Sequence, residues 1–352
     1  MAFVTGILLV DAQASALNNQ GALPGARTDN AVAVKRMSVG GRTYPYVSAQ
    51  AFKYWLRSTL QDQVPEWQTA PIFREGKVAY TDANPIRYWD DDLFGYMRAP
   101  SKKANAGDKG DKERTGETPL TANTTLTRAA PFRVSTLVSL GYNVVTQDFG
   151  VMSRQEDDPV PFEHEFYRAT LKGLFSLNLR ESGAFSYAHR TGFLHLDENR
   201  IEEAKARNLE LDEKRKSYAL PIKERVQRVA ALFRGLSMLE GGAKQSVHYT
   251  DVAPPFVAFA VTRGGNHIFN YLVDAGRDGE PVISADRLRE ILSTWSDTVL
   301  AGPYIGWAPG YQGSQREAFT SSTKEPPIEH PRRAFERFAA DLNTNGASWF
   351  EQ

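Results

Sequence analysis

Two amphipathic helical segments, each flanked by strand-like runs, most constrain the fold of this chain. In the first, which follows Ser48, these side chains cluster on one side at helical spacing: Phe52, Trp55, Leu56, Thr59 and Leu60. In the second, which follows Pro221, the apolar residues are spaced four, three, four and three apart: Ile222, Val226, Val229, Phe233 and Leu236. Because an apolar helix face must be buried, we predict that both helices pack on a mostly antiparallel sheet.

The strand-like runs supply that sheet. We predict strands at 2–10, in AVAVKRM and TYPYV on either side of a VGG turn, at 166–179, and in a hairpin of FVAFAVT and HIFNYLV. The segment 197–216 reads as an exposed helix or an insertion, and two helices, at 285–300 and 331–342, flank an aromatic, glycine-rich loop. This order of elements predicts an α+β, ferredoxin-like (RRM-like) core interrupted by large insertions.

Composition excludes several classes of protein. The 42 basic residues balance the 42 acidic ones, so a globally basic nucleic-acid binder is not indicated, although a local basic stripe is compatible with this balance. The absence of cysteine excludes disulfides, thiol catalysis and Cys-ligated metal sites, and it suits the cytoplasm. The apolar run at 2–10 is too short to span a bilayer, so we expect a buried strand and no membrane partner.

The first candidate site is the helix after Ser48. A Ser N-cap leaves backbone N–H groups and the positive end of the helix dipole available to an anion. Gln50, Lys53 and Arg57 lie within roughly 60° of one another on this helix, so a phosphodiester along that stripe would meet an amide and then two cations. The same pattern also fits a routine cap and a solvated helix face.

The second candidate site is GGAKQ, at 241–245, where we predict that the glycine pair ends the second helix. Gly242 permits close approach of a ligand, and Lys244 and Gln245 repeat the chemistry of the first site. In a ferredoxin-like core both helices lie on one face of the sheet, which would bring the two sites to neighbouring edges. An ordinary helix ending explains this motif equally well.

Two further motifs carry weaker signals. In DDDLFGYMRA the three consecutive aspartates diverge in space, so capping or solvation is favoured over a metal site, and Met97 and Arg98 are better candidates for contacting a base and a phosphate. In QDFGVMSR, Phe149 stands in a polar loop where an apolar tip could wedge into a base stack or pack on a protein, or simply contact the core.

Catalytic signatures are weak. The six histidines show no metal-binding spacing, and Walker A, GxSxG and dinucleotide-binding patterns do not occur. The RNP1 signature of an ordinary RRM is also missing, so base stacking on sheet aromatics is not supported. We therefore expect no enzyme activity and no cofactor or metal.

The ordered motifs GILLVDAQASALNNQG, PYVSAQAFKYWLR, DLFGYMRA and GGAKQ resemble the backbone subunit of CRISPR type I surveillance complexes. This is the DevR, or Cas-seven, family of the RAMP superfamily, and the similarity is greatest to the type I-B branch and spans about residues 2–275. The resemblance implies a palm at 1–62, 131–142 and 166–280, fingers at 63–130 with a mobile loop at 101–118, a thumb hairpin at 143–165 and a C-terminal helical extension at 281–352.

The resemblance also implies which residues bind RNA. Ser48, Gln50, Lys53 and Arg57 would hold phosphates, Lys244 and Gln245 would complete the palm site, Met97 would prop bases, and Phe149 would be the thumb wedge. A Tyr at 96 replaces the usual Arg of this family, so the phosphate contact would pass to Arg98. The remaining expected RNA-binding residues lie in the first loop, in and beside the first hairpin, and in GGAKQ: Asn18, Asn19, Lys35, Arg36, Arg42 and Gly242.

By this resemblance the protein is a non-catalytic scaffold that stacks with copies of itself along the CRISPR RNA and presents it to a target DNA strand. Its other expected partners are the RAMP cap subunit, the large and small subunits, and either a nuclease–helicase or transposition proteins. Two alternatives stay open. One is a type III-like RNA-cleaving subunit that uses Asp11 or Asp29, and the other is a DNA-binding autoregulator, for which no helix-turn-helix pattern is visible.

Overall fold

A computed structural model describes residues 1–23, 25–100, 116–121, 124–154, 156, 158–190, 193–323 and 326–352. The helices are α1 (Ala49–Gln63), α2 (Trp89–Phe94), α3 (Glu198–Ala206), α4 (Ile222–Ser237), α5 (Ala285–Thr294), α6 (Gly313–Ser322) and α7 (Pro331–Glu351). The strands are β1 (Ala2–Ser15), β2 (Asn19–Ala22), β3 (Ala31–Val34), β4 (Arg36–Val39), β5 (Arg42–Val47), β6 (Ile72–Glu75), β7 (Val78–Thr81), β8 (Tyr96–Arg98), β9 (Leu126–Arg128), β10 (Phe132–Val134), β11 (Leu137–Ser139), β12 (Thr146–Met152), β13 (Val160–Asn178), β14 (Ala184–Ser186), β15 (Glu210–Asp212), β16 (Ser217–Ala219), β17 (Phe256–Arg263), β18 (Val273–Ala275), β19 (Pro281–Ile283), β20 (Val299–Trp307) and β21 (Ile328–Glu329).

Strand β1 lies in the middle of a large mixed sheet. It pairs antiparallel with β13 on one side and with β17 on the other. Beyond β13 come β10 and β11, both antiparallel to it, and beyond β17 comes β20. Across the described residues the main path runs β21–β20–β17–β1–β13–β11–β5–β4. The predicted α+β class is confirmed.

The apolar run of β1 is continuous because both faces of the strand are buried. Val4 and Leu8 point into the main core, whereas Ile7 and Leu9 point into a second core on the other face. Because successive side chains alternate between faces, a strand in this position needs apolar residues throughout. The strand extends to Ser15, five residues beyond its predicted end.

Helices α1 and α4 cover the face that carries the main core. All of the residues predicted to face inward on α1 are buried, and Ser48 is its N-cap. Of the predicted stripe on α4, Ile222 is half-buried and packs against the core, and the others are buried: Val226, Val229, Phe233 and Leu236. The end of α4 differs from the prediction, because its C-cap is Met238 and the glycines at 241 and 242 belong to the following loop.

The predicted hairpin of FVAFAVT and HIFNYLV is wrong. The first run forms β17, but most of the second is turn, with Ile268, Phe269 and Leu272 buried in the second core. The partner of β17 is instead β20, which includes part of the segment expected to be an aromatic loop. The C-terminal segment therefore carries a strand of the main sheet as well as α5, α6 and α7.

The segment between α1 and β10 contains α2 and two small antiparallel strand pairs, β6–β7 and β8–β9. Most of the loop expected to be mobile, residues 101–115, lies outside the described residues. The segment 197–216, expected to be exposed, contributes α3, on which Arg200 is fully buried. Within the described part of the chain, no helix is both long and apolar enough to cross a membrane.

Candidate nucleic-acid interface

The start of α1 is fixed by two side chains. The Ser48 hydroxyl accepts a hydrogen bond from the backbone N–H of Ala51 at 3.3 Å, which satisfies one of the orphan donors of the first turn. The backbone N–H of Ser48 in turn donates to Oδ1 of Asn18 at 3.0 Å. Asn18 is therefore a support for the helix start, and its oxygen is already engaged. Gln50, in the first turn, is exposed to solvent.

Further along α1, Lys53 and Arg57 lie one helical turn apart, and the charge of the exposed Arg133 on β10 acts on Lys53; we call these three residues the cationic cluster. Burial, together with the positive charges of Arg57 and Arg133, lowers the pKa of Lys53 to about 8. The Arg57 guanidinium lies over the Phe94 ring, 4.8 Å from its centre. Among the described residues, none of the three cations has a carboxylate within salt-bridge distance. The cluster therefore lacks a salt bridge, although its Arg57 acts electrostatically on the buried carboxyl of Asp90.

The loop that contains GGAKQ packs directly on α1. The N–H of Ala243 donates to the carbonyl of Leu17 at 3.0 Å, and the Thr59 hydroxyl of α1 exchanges hydrogen bonds with the backbone of Glu240. Gly241 lies so close to Trp55 that a Cβ there would be 2.4 Å from the indole ring. The structure thus brings the two predicted sites together, with Lys244 half-buried in a left-handed conformation and Gly242 beside it.

The side chain of Gln245 is used inside this loop. Its Nε2 donates to the carbonyls of Gly241 and Thr250, and its Oε1 accepts from the N–H of Thr250 at 2.9 Å. The side-chain amide of Gln245 is thus engaged by the backbone of its own loop, and the contact of Gln245 with RNA stays a prediction. Gln245 holds the shape of the loop that presents Lys244.

His248 connects that loop to the β12–β13 hairpin. Its ring stacks on Phe166 at 4.9 Å and meets His164 edge-on at 4.7 Å. Burial lowers the pKa of His248, and His164 adds to this effect. The base of the hairpin is therefore packed against the loop that follows GGAKQ.

The hairpin itself presents an apolar surface. On β12, Phe149, Val151 and Met152 are about half exposed, at 56%, 49% and 48%. Phe149 pairs in register with Glu163 of β13, so it lies within the strand and not at a loop tip. At the hairpin base, Arg36 forms an ion pair with Glu165 at 2.7 Å. Arg36 is therefore paired with the hairpin and is not a free cation.

The other cations of the first hairpin remain unpaired among the described residues. Lys35 is half-buried between β3 and β4, and Arg42 is exposed at the start of β5, where its guanidinium lies 4.8 Å from the centre of the Tyr142 ring. Asn19 is half-buried at the start of β2. These residues are accessible on the same β2–β5 region, but the structure does not bring them into direct contact with the α1 cluster.

Met97 and Arg98 on β8 differ sharply in environment. Met97 is 70% exposed, whereas Arg98 is buried and forms ion pairs with Asp82 at 3.3 Å and Glu117 at 2.6 Å. Its guanidinium also donates to the carbonyl of Thr118 at 2.9 Å. The expectation that Arg98 contacts a phosphate is therefore corrected: the residue ties β8 to neighbouring segments.

The aspartate triplet is buried, contrary to the expectation of capping or solvation. Asp90 accepts from the N–H of Ala70, and Asp91 accepts from Thr81 and from the N–H of Asn84. Asp92 pairs with two buried arginines, Arg128 of β9 and Arg228 of α4. No group of acidic and histidine side chains in the described residues has the geometry to hold a metal ion.

Sequence reasoning missed Arg133. The resemblance places residues 131–142 in the palm and assigns no role to Arg133, although alternation along a strand separates the exposed Arg133 from the buried Phe132. That alternation, together with the packing of β10 beside α1, is the signal that could have found it.

A family model described as "CRISPR-associated negative auto-regulator DevR/Csa2" matches residues 7–264. A solved chain named "CRISPR RNA-guided surveillance complex, pre-nicking" aligns with a TM-score of 0.50 at 12% identity, over 96% of this chain and 99% of its own. A second, named "CRISPR RNA-guided surveillance complex", aligns with a TM-score of 0.43 at 12% identity, over 91% and 99%. No curated protein sequence matches significantly. At this identity the first likeness concerns the fold alone.

Proposed function

Because the chain belongs to the DevR/Csa2 family of CRISPR-associated proteins, we propose that it is a non-catalytic backbone subunit that binds CRISPR RNA. In this proposal, copies of the chain stack along the guide RNA and present it for pairing with a target DNA strand, together with the cap, large and small subunits of a type I complex. The name of the solved chain with the TM-score of 0.50 supports such a complex.

The strand order supports a ferredoxin-like palm. The core of the sheet has four strand positions in chain order: β1 is the first, β10 with β11 the second, β13 the third and β17 the fourth. In the sheet these positions lie side by side in the order fourth, first, third, second, and neighbouring strands are antiparallel. Helix α1 joins the first position to the second, and α4 joins the third to the fourth. Both helices pack on one face and contact each other. We assign the β12–β13 hairpin as the thumb and the segment between α1 and β10 as the fingers.

The observation that carries the RNA-binding proposal is the cationic cluster of Lys53, Arg57 and Arg133 beside the capped start of α1, which forms no salt bridge among the described residues. Cations that are partly removed from water and lack a protein carboxylate attract an external anion. A phosphodiester backbone supplies such anions at regular spacing, and contacts to it carry no base code. We therefore expect binding to single-stranded RNA that is largely independent of sequence.

The test is the salt dependence of RNA binding by the double variant Lys53→Ala, Lys244→Ala. Each phosphate contact on a single strand contributes about 0.7 to the slope of log affinity against log salt, so losing two should make the slope shallower by roughly 1.4. Lys214→Ala, an exposed lysine between β15 and β16, is the matched control and should leave the slope unchanged. An unaltered slope in the double variant would refute the assignment of this face.

The family description favours one second candidate, a DNA-binding autoregulator. Purified protein that binds duplex DNA more tightly than single-stranded RNA at equal salt would support that candidate.

The nuclease alternative is tested by incubating the assembled complex with complementary RNA and Mg²⁺. Regularly spaced cuts that disappear in Asp11→Asn or Asp29→Asn would overturn the non-catalytic assignment.

A further inference from the structure

A cleft lies at the end of β5 that is far from α1, between the β4–β5 hairpin and the β18–β19 hairpin. Its volume is about 390 Å³, within the range of about 300 to 1,000 Å³ that is usual for small-ligand pockets. The start of β5, the turn after β11 and the turn between β18 and β19 form its walls. The polar and aromatic side chains that line it are Arg42, Tyr44, Tyr142, Arg277 and Asp278.

The walls of the cleft are held together by backbone contacts. Gly141 and Gly279 lie so close that a Cβ on Gly141 would be 2.4 Å from the Cα of Gly279. The N–H of Asn143 donates to the carbonyl of Thr43 at 2.8 Å, which fixes the segment that carries Tyr142 beside β5. The exposed side chains at the mouth of the cleft can therefore be replaced without disrupting its walls.

These side chains present a flat, cationic surface. The Arg42 guanidinium lies 4.8 Å from the centre of the exposed Tyr142 ring, and bases stack both on aromatic rings and on guanidinium planes. Among the described residues, neither Arg42 nor Arg277 has a carboxylate within salt-bridge distance, although Asp278 lines the same cleft. The N–H groups of Arg277 are therefore available to a phosphate, and the Asp278 carboxylate can accept from a base amine.

We propose that this cleft binds one nucleotide of a single-stranded nucleic acid, with the base on the Arg42–Tyr142 pair and the phosphate at Arg277. The inference rests on the proposed binding of nucleic acid and adds a second site to it. Arg42 is the one member of the cleft that was already expected to contact RNA. An aromatic platform beside unpaired arginines is the combination with which proteins hold single strands without reading their sequence.

The cleft is distinct from the cationic cluster of α1. Helix α1 packs on the main core, whereas β18 and β19 place Val273 and Ile283 in the second core. Leu140, which lines the cleft, also packs against the second core. The two sites share no residue and adjoin different cores, so substitutions in one can be tested with the other intact.

The first experiment measures stacking by fluorescence anisotropy, with the full chain and two strands of equal length: oligothymidylate and its abasic counterpart, in which every base is removed. Tyr142→Ala should weaken binding of oligothymidylate about tenfold, because one stacked base is lost, and should leave the abasic strand nearly unaffected. Tyr142→Phe keeps the ring and should bind as wild type does. Tyr271→Ala, at an exposed tyrosine outside the cleft, is the matched control and should have no effect.

The second experiment measures the phosphate contact through salt dependence. Arg277→Gln should make the slope of log affinity against log salt shallower by about 0.7 on both strands, whereas Tyr142→Ala should keep the slope. Lys214→Gln is the control and should leave the slope unchanged. Oligouridylate, measured in parallel, distinguishes the source of the strand: a larger loss for RNA in Tyr142→Ala assigns the cleft to a guide strand, and a larger loss for oligothymidylate assigns it to DNA. Either result supports a nucleotide site.

Three outcomes would contradict these inferences in different ways. Wild-type affinity and slope in both Tyr142→Ala and Arg277→Gln, with binding still weakened by Lys53→Ala, Lys244→Ala, would overturn the cleft and leave the proposed function in place. Loss of self-association in Tyr142→Ala with unchanged affinity for the strands would identify the cleft as a protein contact and would also overturn it. Failure of the wild-type chain to bind any strand would overturn the proposed function itself.

Discussion

Replacing Asp92 with Asn should destabilise the fold strongly, because Asp92 is the shared acid of a buried charge network. Its carboxylate is fully buried and accepts from Arg128 at 2.6 Å, from Arg228 at 2.8 Å and from the N–H of Gly183 at 3.1 Å. These partners lie on β9, on α4 and just before β14. The single side chain of α2 therefore joins three other segments.

The magnitude follows from what the substitution leaves behind. Asn keeps the volume of Asp, so no cavity forms, but two buried guanidinium groups lose their counter-charge. Breaking a buried ion pair by removing one partner costs about 3 to 5 kcal/mol. For a 352-residue chain that unfolds as one unit, this corresponds to a decrease of about 4 to 7 °C in the melting temperature.

Urea denaturation followed by circular dichroism measures the loss, with Asp286→Asn as the control. Asp286 pairs with Arg289 on α5, but both side chains are mostly exposed, at 82% and 59%, so that substitution should change stability by less than about 0.5 kcal/mol. A loss below about 1 kcal/mol for Asp92→Asn would show that the two arginines are not held by this carboxylate, and it would refute the reasoning.

Four further outcomes are expected. Gly241→Ala should destabilise the protein by about 1 to 3 kcal/mol and weaken RNA binding, because residue 241 has a φ of +148° and the added Cβ would meet Trp55. Urea denaturation measures the loss of stability, and fluorescence anisotropy measures the RNA affinity. Gln245→Ala should lower RNA affinity through disorder of the loop, visible as faster amide exchange there, and unchanged exchange would contradict it. Lys53→Met should stabilise the fold at pH 7 by about 1 kcal/mol after allowance for solvent screening. The pKa of Lys53 is about 8 in the folded protein and 10.5 in the unfolded chain, so between these values the folded wild type binds fewer protons and gains stability as the pH rises. The difference in stability between Lys53→Met and wild type should therefore shrink by pH 10. Phe149→Ser should leave the melting temperature nearly unchanged, since the ring is 56% exposed.

The elements that sequence predicted well are those specified by local signals. Helix α1 needs only a Ser at its N-cap and apolar residues at helical spacing, and its buried residues are the predicted ones. The α+β class follows from the same signals, because two amphipathic helices among strands require a sheet to cover. Neither conclusion depends on contacts between distant residues.

Strand partners could not be predicted in the same way. HIFNYLV is apolar enough to be a strand, but its buried residues serve a turn, and β17 pairs with β20 some forty residues further along. Short apolar runs do not distinguish a strand from a buried turn, and pairing depends on non-local contacts. The same reason explains why GPYIGWAP was assigned to a loop.

In the candidate site, the sequence did not predict which charged groups pair with one another. Lys53 and Arg98 look equally suitable for a phosphate in the sequence. In the structure Arg98 is enclosed by Asp82 and Glu117, which lie 16 and 19 residues away, whereas Lys53 meets only positive neighbours. The sequence alone does not show which cations the fold places beside acidic residues.

This separation of the cations also accounts for a local positive surface on a chain with zero net charge. Some buried acids are matched by arginines: Asp92 by Arg128 and Arg228 from distant segments, and Asp197 by Arg200 three residues further along. Such pairs stabilise the packing only when complete, and their charges cancel at short range. The cations without such a partner can attract anions from outside the chain. An arginine paired with a buried carboxylate is therefore expected to change stability when mutated, whereas an exposed cation without a salt bridge, such as Arg133, is expected to change binding. Arg228→Met and Arg133→Gln, compared in urea denaturation and RNA affinity, should show these opposite responses.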